Sequence, residues 1–174
     1  MKINQFPESL DLSIDDLLII WDTSTGTTKK ISAASLLDWL SANIKVASNI
    51  SGIGTATASS SFNASFLPIK ATDGSTATDW ASLNQTNPWI QIDFSSSKKV
   101  SQVKIADRIG QSARCNAGTL SFSDGSSVAV TGILNNGTYS IVEFATKTIT
   151  WVRFTVTAGT GTNVGLSEFQ IIGY

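Results

Sequence analysis

The sequence predicts an all-β antiparallel sandwich preceded by a small hairpin-plus-helix unit. From about residue 62 onward, apolar residues recur at every second position in short runs, the period of half-buried strands. Asp-Gly, Asn-Asn-Gly and Gly-Thr-Gly-Thr turns separate those runs, with no helical pattern between them. The composition agrees: 25 Ser, 20 Thr and 13 Gly in 174 residues, with 14% charged side chains, suit short strands with hydroxyl-bearing faces.

Residues 1–45 read as an attachment and oligomerisation module. They hold six of the thirteen acids: Glu8, Asp11, Asp15, Asp16, Asp22 and Asp38. The apolar run Leu17-Leu18-Ile19-Ile20-Trp21 is followed by a polar turn and by Thr27–Ile31, which can pair back on it as a hairpin. Ser32 is placed to cap a helix. Behind it, Ala33, Leu36, Leu37, Leu40 and Ile44 fall at i, i+3, i+4, i+7 and i+11, one amphipathic face. A unit of about 40 residues without disulfide or metal seldom covers its own apolar surface. Leu36, Leu37, Leu40 and Ile44 are therefore expected to meet another protein surface or a copy of this one.

Residues 46–61 are small and polar and read as a linker running into a first strand. The sandwich then spans 62–174. Its strands are marked by Ile90, Ile92 and Phe94; Val103 and Ile105; Leu120 and Phe122; Val152, Phe154 and Val156; and Phe169 and Ile171.

Composition excludes several functions. With no histidine, Ser-His-Asp and Cys-His nucleophile pairs, His-ligated zinc and haem are ruled out. A lone cysteine, Cys115, forms no internal disulfide and reads as a small apolar filler. A net charge of −1 gives no electrostatic reason to bind nucleic acid or an anionic membrane. No apolar run reaches the roughly 18 residues of a membrane span. The N-terminus lacks the charged and apolar regions of a secretion signal, so cytoplasmic synthesis is expected.

An ordered set of short motifs resembles the discoidin-type domains, which include coagulation-factor C domains and galactose-binding carbohydrate modules. They are Asp73-Gly74 with Thr78-x-Trp80, Trp89-x-Gln91-x-Asp93-Phe94, Val100-x-x-Val103-x-Ile105, Ser123-Asp124-Gly125, Trp151-Val152-Arg153-Phe154, and Gly165-Leu166-x-Glu168-Phe169-x-Ile171. The resemblance covers residues 55–174 and implies a jelly-roll sandwich of the galactose-binding-like kind, mostly used for binding and not catalysis. The stretch Asp15–Leu40 is similar to a short module at the base of bacteriophage tail-fibre and appendage proteins.

The discoidin resemblance implies a structural calcium where the Asp-Gly loop meets the closing strand. Asp73 and Glu168 would give carboxylates and Thr78 a hydroxyl and carbonyl, with carbonyls near Lys70, Ser75 and Phe169. Ser75 stands where the family often has Asn or Asp, a departure that weakens the site. The bland alternative is that Asp73 caps a turn and Glu168 pairs with a cation.

Galactose-type members commonly use a loop histidine, and this chain has none. Trp80, Trp89 and Trp151 lie in signature strands and read as core. The saccharide candidates are then polar loop segments, 84–87, 108–114 and 159–163, with Asn84, Gln85, Arg108, Arg114 and Asn163 as the residues singled out. Structural pairing of these arginines or their neighbours, for instance Asp107 with a cation, is the alternative. No catalytic constellation stands out, so no enzyme is expected.

The reading is a virion structural protein. A homotrimer held by residues 1–45 would dock on other virion proteins, and the sandwich would contact host surface glycan or a neighbouring virion protein. Three copies follow from the resemblance to fibres alone. A capsid decoration protein and a cellular carbohydrate-binding accessory module are the alternatives.

Overall fold

The computed structural model describes residues 17–22 and 24–174, with side chains from Ser24 onward. The expectations placed on Glu8, Asp11, Asp15 and Asp16, on the N-terminal residues as a possible secretion signal and on the side chains of residues 17–22 lie outside the described residues. The chain divides into two compact units, Met1–Lys45 and Val46–Tyr174.

In the first unit, β1 (Leu17–Asp22) and β2 (Thr27–Ser32) form an antiparallel hairpin, with Leu17 opposite Ser32 and Asp22 opposite Thr27. Gly26, at φ 62°, supplies the left-handed turn residue. Helix α1 (Ala33–Asn43) starts as expected, with the Ser35 N–H donating to Ser32 Oγ at 3.0 Å. The expected helix face is divided. Ala33 is buried and Leu36 and Leu40 are half-buried, whereas Leu37 and Ile44 are each 55% exposed. Trp39, off that face, is exposed as well. Among the described residues no helix is long and apolar enough to cross a membrane.

The second unit is the expected antiparallel sandwich. Its strands are β3 (Ser48–Asn49), β4 (Thr55–Ala58), β5 (Trp80–Ala81), β6 (Trp89–Asp107), β7 (Arg114–Phe122), β8 (Ser127–Thr131), β9 (Ser140–Thr160) and β10 (Gly165–Gly173). They pair in the order β3-β10-β6-β9-β7-β8, with β4 added to β6 and β5 to β10. Two strands run through both layers. The first half of β6 pairs with β4 and the end of β9, from Trp89↔Thr155 to Asp93↔Trp151. After a register break, its second half pairs with the start of β9 and with β10. The layers face each other through their rings: Phe154 lies 6.1 Å from Phe169, and Phe122 lies 5.0 Å from Phe144.

The core follows the period of two. Ile90, Ile92, Val103, Ile105, Leu120, Val152, Phe154, Phe169 and Ile171 are fully buried. Trp80 joins them, its indole N–H donating to the Ser60 carbonyl at 2.9 Å. Trp89 and Trp151 do not. They alternate with buried Ile90 and Val152, so they point outward and are half-buried, correcting their reading as core. Arg153 lies over the Trp89 ring at 4.3 Å, with its Nε–H on Gln91 Oε1 at 2.8 Å.

Residues 46–61 are not a linker. They hold β3, a 3₁₀ turn at Ser51–Ile53 and β4, hydrogen-bonded to β10 and β6. Small side chains are needed here for close approach: a Cβ on Gly54 would run into Ile92 and Phe94.

Candidate functional site

One end of the sandwich gathers four connections: residues 59–66 after β4, 82–87 after β5, 108–113 between β6 and β7, and 161–164 between β9 and β10. Three of them, 59–66, 108–113 and 161–164, line a cavity of about 470 Å³ together with Ala81 of β5, within the range of small-ligand sites. Phe62, Phe66, Arg108, Gln111, Thr162 and Asn163 line it, over a floor that includes Ala81 and Ala113. Phe62 is 44% exposed and stands edge-on to Phe66, with ring centroids 5.8 Å apart. A saccharide site needs this pairing of an accessible ring with polar groups that bond hydroxyls.

Arg108 is the fixed point of the wall. It is only 6% exposed, yet its charge is matched. Its Nε–H donates to Asp79 Oδ2 at 3.0 Å, its Nη1–H to the Asn163 carbonyl at 3.0 Å, and the guanidinium lies 5.4 Å from the Phe66 ring centre. The pair with Asp79 is charge-assisted and well shielded.

Of the saccharide candidates, Arg108 and Asn163 line the cavity. Asn84 sits behind Asn163, donating its N–H to Asn163 Oδ1 at 2.7 Å. Gln85 is structural: its Oε1 accepts from Ser59 Oγ at 2.5 Å and its carbonyl from the Val164 N–H at 3.1 Å. Arg114 is exposed, opposite Thr160 at the start of β7, outside the lining. Gln111 and Thr162 lie in the 108–114 and 159–163 loops that the sequence pointed to, whereas Phe62 and Phe66 lie outside every segment it named. The one visible signal for the two rings is their spacing, a pair of phenylalanines four apart within the polar stretch Ser61–Phe66.

The metal candidates also converge. Asp73 Oδ1 accepts the Ser75 N–H at 3.0 Å, closing the expected Asp-Gly turn around Gly74 at φ 83°. The Thr78 hydroxyl lies 2.8 and 3.0 Å from the two Asp73 oxygens, 3.1 Å from the Ser75 carbonyl and 3.3 Å from the Lys70 carbonyl. One hydroxyl proton thus faces four acceptors. Glu168 is fully buried, and its oxygens accept from the Gly74 N–H at 2.8 Å and Gln170 Nε2 at 3.1 Å. Burial pushes its carboxyl above the ordinary range, and the Asp73 charge pushes the same way against those hydrogen bonds. The expected cation partner of Glu168 is missing from the described ion pairs; Lys70 Nζ instead lies 3.9 Å from Asp73 Oδ2. The Asp73 and Glu168 carboxylates, the Thr78 hydroxyl and the Lys70 and Ser75 carbonyls are hard oxygen donors of the kind calcium takes. Phe169 contributes its ring to the core.

Asp107 does not take the cation. It is fully buried and accepts the Cys115 N–H at 3.2 Å and the Asn135 side-chain amide, while the neighbouring arginine pairs with Asp79. Burial raises its carboxyl above the usual range, partly offset by those bonds and by the Arg108 charge. Cys115, also fully buried, has its thiol pushed up by burial and by Asp107, which makes it an inert filler.

Residues 49–172 match the family model described as "Domain of unknown function (DUF7402)". No curated protein matches the sequence. Among solved structures, chitosan-binding module 1 of a chitosanase/glucanase from Paenibacillus sp. IK-5 is 30% identical, with a TM-score of 0.55; the match covers 71% of this chain and 98% of the module. Module 2 of the same enzyme, solved with chitotriose, is 26% identical over 71% of this chain and 98% of its own, with a TM-score of 0.59. The family 32 carbohydrate-binding module of C. perfringens NanJ, solved with galactose, is 18% identical over 74% of this chain and 99% of its own, with a TM-score of 0.59. These neighbours carry the galactose-binding-like sandwich.

Proposed function

Since the chain belongs to the family described as domain of unknown function DUF7402, and its sandwich has the fold of carbohydrate-binding modules, we propose that it is a non-catalytic glycan-binding protein with its site in the loop cavity. The observation that carries this is Phe62, an accessible ring set beside Gln111, Thr162 and the anchored Arg108. A pyranose would lay its apolar face on the ring and exchange hydroxyl hydrogen bonds with the polar side chains. Chitosan and galactose, named with the similar modules, support a saccharide as the ligand class. A non-catalytic role is supported by a lining that holds no carboxylate, cysteine or histidine. The test is binding of the full chain to a broad glycan array. Saturable hits that Phe62→Ala weakens uphold the proposal, and an array without hits ends it.

Calcium is the proposed structural ion. Asp73 and Glu168 would hold it together with the Thr78 hydroxyl and the Lys70 and Ser75 carbonyls. Bound there, it would neutralise both carboxylates and fix the Asp-Gly loop against β10.

The assembly part of the proposal is that residues 1–45 join three copies and mount the sandwich on a virion appendage. Its support is the resemblance of Asp15–Leu40 to phage appendage modules, together with the exposure of Leu37, Trp39 and Ile44.

A further inference from the structure

Resting on the glycan-binding reading above, we infer that the cavity accepts uncharged sugar residues and rejects those carrying a free ammonium group. The charge inventory of the wall decides this. No carboxylate is among its lining residues, and the charged side chain that is present is a cation, Arg108. The nearest acid it engages, Asp79, is spent on that cation at 3.0 Å.

An amino sugar entering the cavity would shed water from its ammonium group and gain no counter-charge, because no lining carboxylate is there to pair with it and Asp79 is already held by Arg108. An uncharged hexose loses nothing of the kind. Gln111, Ser112 and Thr162 offer donors and acceptors to its hydroxyls, and Phe62 offers a ring to its apolar face.

An acidic sugar gains little either. Asp79 cancels the Arg108 charge, and two of the guanidinium N–H groups are already committed, to Asp79 and to the Asn163 carbonyl. The whole chain, at net −1, gives no long-range attraction for anions. Specificity is therefore set by hydrogen bonding and ring stacking, with charge acting only to exclude.

The experiment titrates the full chain at about pH 5, well below the ordinary amine pKa range, with matched oligosaccharides of three kinds: fully N-acetylated glucosamine, fully deacetylated glucosamine, and galacturonate. An array of neutral hexose oligomers runs alongside. The expected result is binding confined to uncharged oligomers, with the amino oligomer at least about tenfold weaker than the best of them. The variant Gln111→Glu, which puts a carboxylate into the lining, is expected to raise amino-oligomer affinity about tenfold while weakening neutral ligands. Wild-type binding of the amino or uronate oligomer as tight as the neutral ones overturns the charge inference and leaves the glycan reading standing. Absence of binding across the panel and the array removes the glycan reading, and this inference with it.

Discussion

The Asn84 N–H donates to Asn163 Oδ1 at 2.7 Å, and both residues have left-handed backbones, at φ 52° and 61°. Two uncommon conformations thus meet in one hydrogen bond at the rim of the cavity. The Asn163 carbonyl simultaneously accepts from Arg108 Nη1, so the bond ties the 82–87 and 161–164 loops to the cationic wall. Asn163→Ala should cost about 1–3 kcal/mol by adding backbone strain to a lost hydrogen bond. Asn163→Gly, which relieves the strain, should recover part of that. Urea unfolding of the two variants checks the difference; equal losses would mean the backbone conformation carries no strain.

Phe62→Ala should reduce glycan affinity about tenfold or more while costing under about 1.5 kcal/mol of stability. Its backbone N–H still bonds the Ala81 carbonyl at 2.7 Å, so the loop keeps its anchor. Calorimetric titration beside a thermal melt separates the two effects.

Calcium should raise the melting temperature of the full chain at about pH 7, with a stabilisation near 2.7 kcal/mol at a hundredfold excess over its dissociation constant. Glu168→Gln should abolish that response, as should Asp73→Ala. A melt that chelator and added calcium both leave unchanged would remove the ion from the proposal.

The pH dependence has a definite sign. Glu168 and Asp107 are both raised in the folded state, chiefly by burial. The folded chain therefore holds these protons more tightly than the unfolded one. Their contribution to stability is complete below the ordinary carboxylate range and is lost as pH climbs through the raised folded values. Without calcium, stability should fall on going from mildly acid to neutral solution. Calcium requires the ionised carboxylates, so its stabilising increment should grow over the same interval. Melts at a series of pH values, with and without calcium, check both slopes.

Gly118→Ala should be among the most damaging single-methyl changes. The added Cβ would run into the Phe154 ring and the Thr155 carbonyl across the β7–β9 pair. A loss of about 1–3 kcal/mol or more is expected by equilibrium unfolding, since neither neighbour has room to move in a close-packed core.

If residues 1–45 assemble the chain, light scattering should give three times the monomer mass. Replacing the exposed Leu37, Trp39 and Ile44 together by polar residues should return it to one, with the sandwich still folded. A monomeric wild-type chain would count against the assembly proposal.

Much of the architecture was legible because it repeats with a fixed period. Ile90, Ile92 and Phe94 announced an inward face, and Ser32 announced a helix start through its short polar side chain. The misreadings have physical causes. The Ile90–Phe94 and Val103–Ile105 runs looked like separate strands because the register break between them interrupts the alternation, whereas the backbone continues unbroken as β6. Residues 46–61 looked like a linker because the small side chains that allow a backbone to nest against Ile92 and Phe94 have the same composition as flexible ones. Size outweighed phase for Trp89 and Trp151, although alternation with Ile90 and Val152 already pointed them outward. The cavity was the least legible part. Phe62, Arg108 and Asn163 come from loops with no periodicity, brought together by pairings between distant strands.

Strand β10 runs the full height of the sandwich. Its first residues, Gly165 and Leu166, pair with β5 beside the cavity, and its last, Ile172 and Gly173, pair with β3 near the point where the chain enters from Val46. Its nine residues rise about 3.3 Å each, so roughly 27 Å of sheet lies between that entrance and the binding loops. The residues flanking the sandwich at both ends of its chain therefore leave from the same pole. A tether, a fusion partner or a solid support attached there would hold the domain by its base, with the mouth of the cavity facing outward and free of load. Immobilised copies should retain the affinity of the free chain, and pulling on the tether should peel β3 from β10 before any cavity-lining loop feels the force.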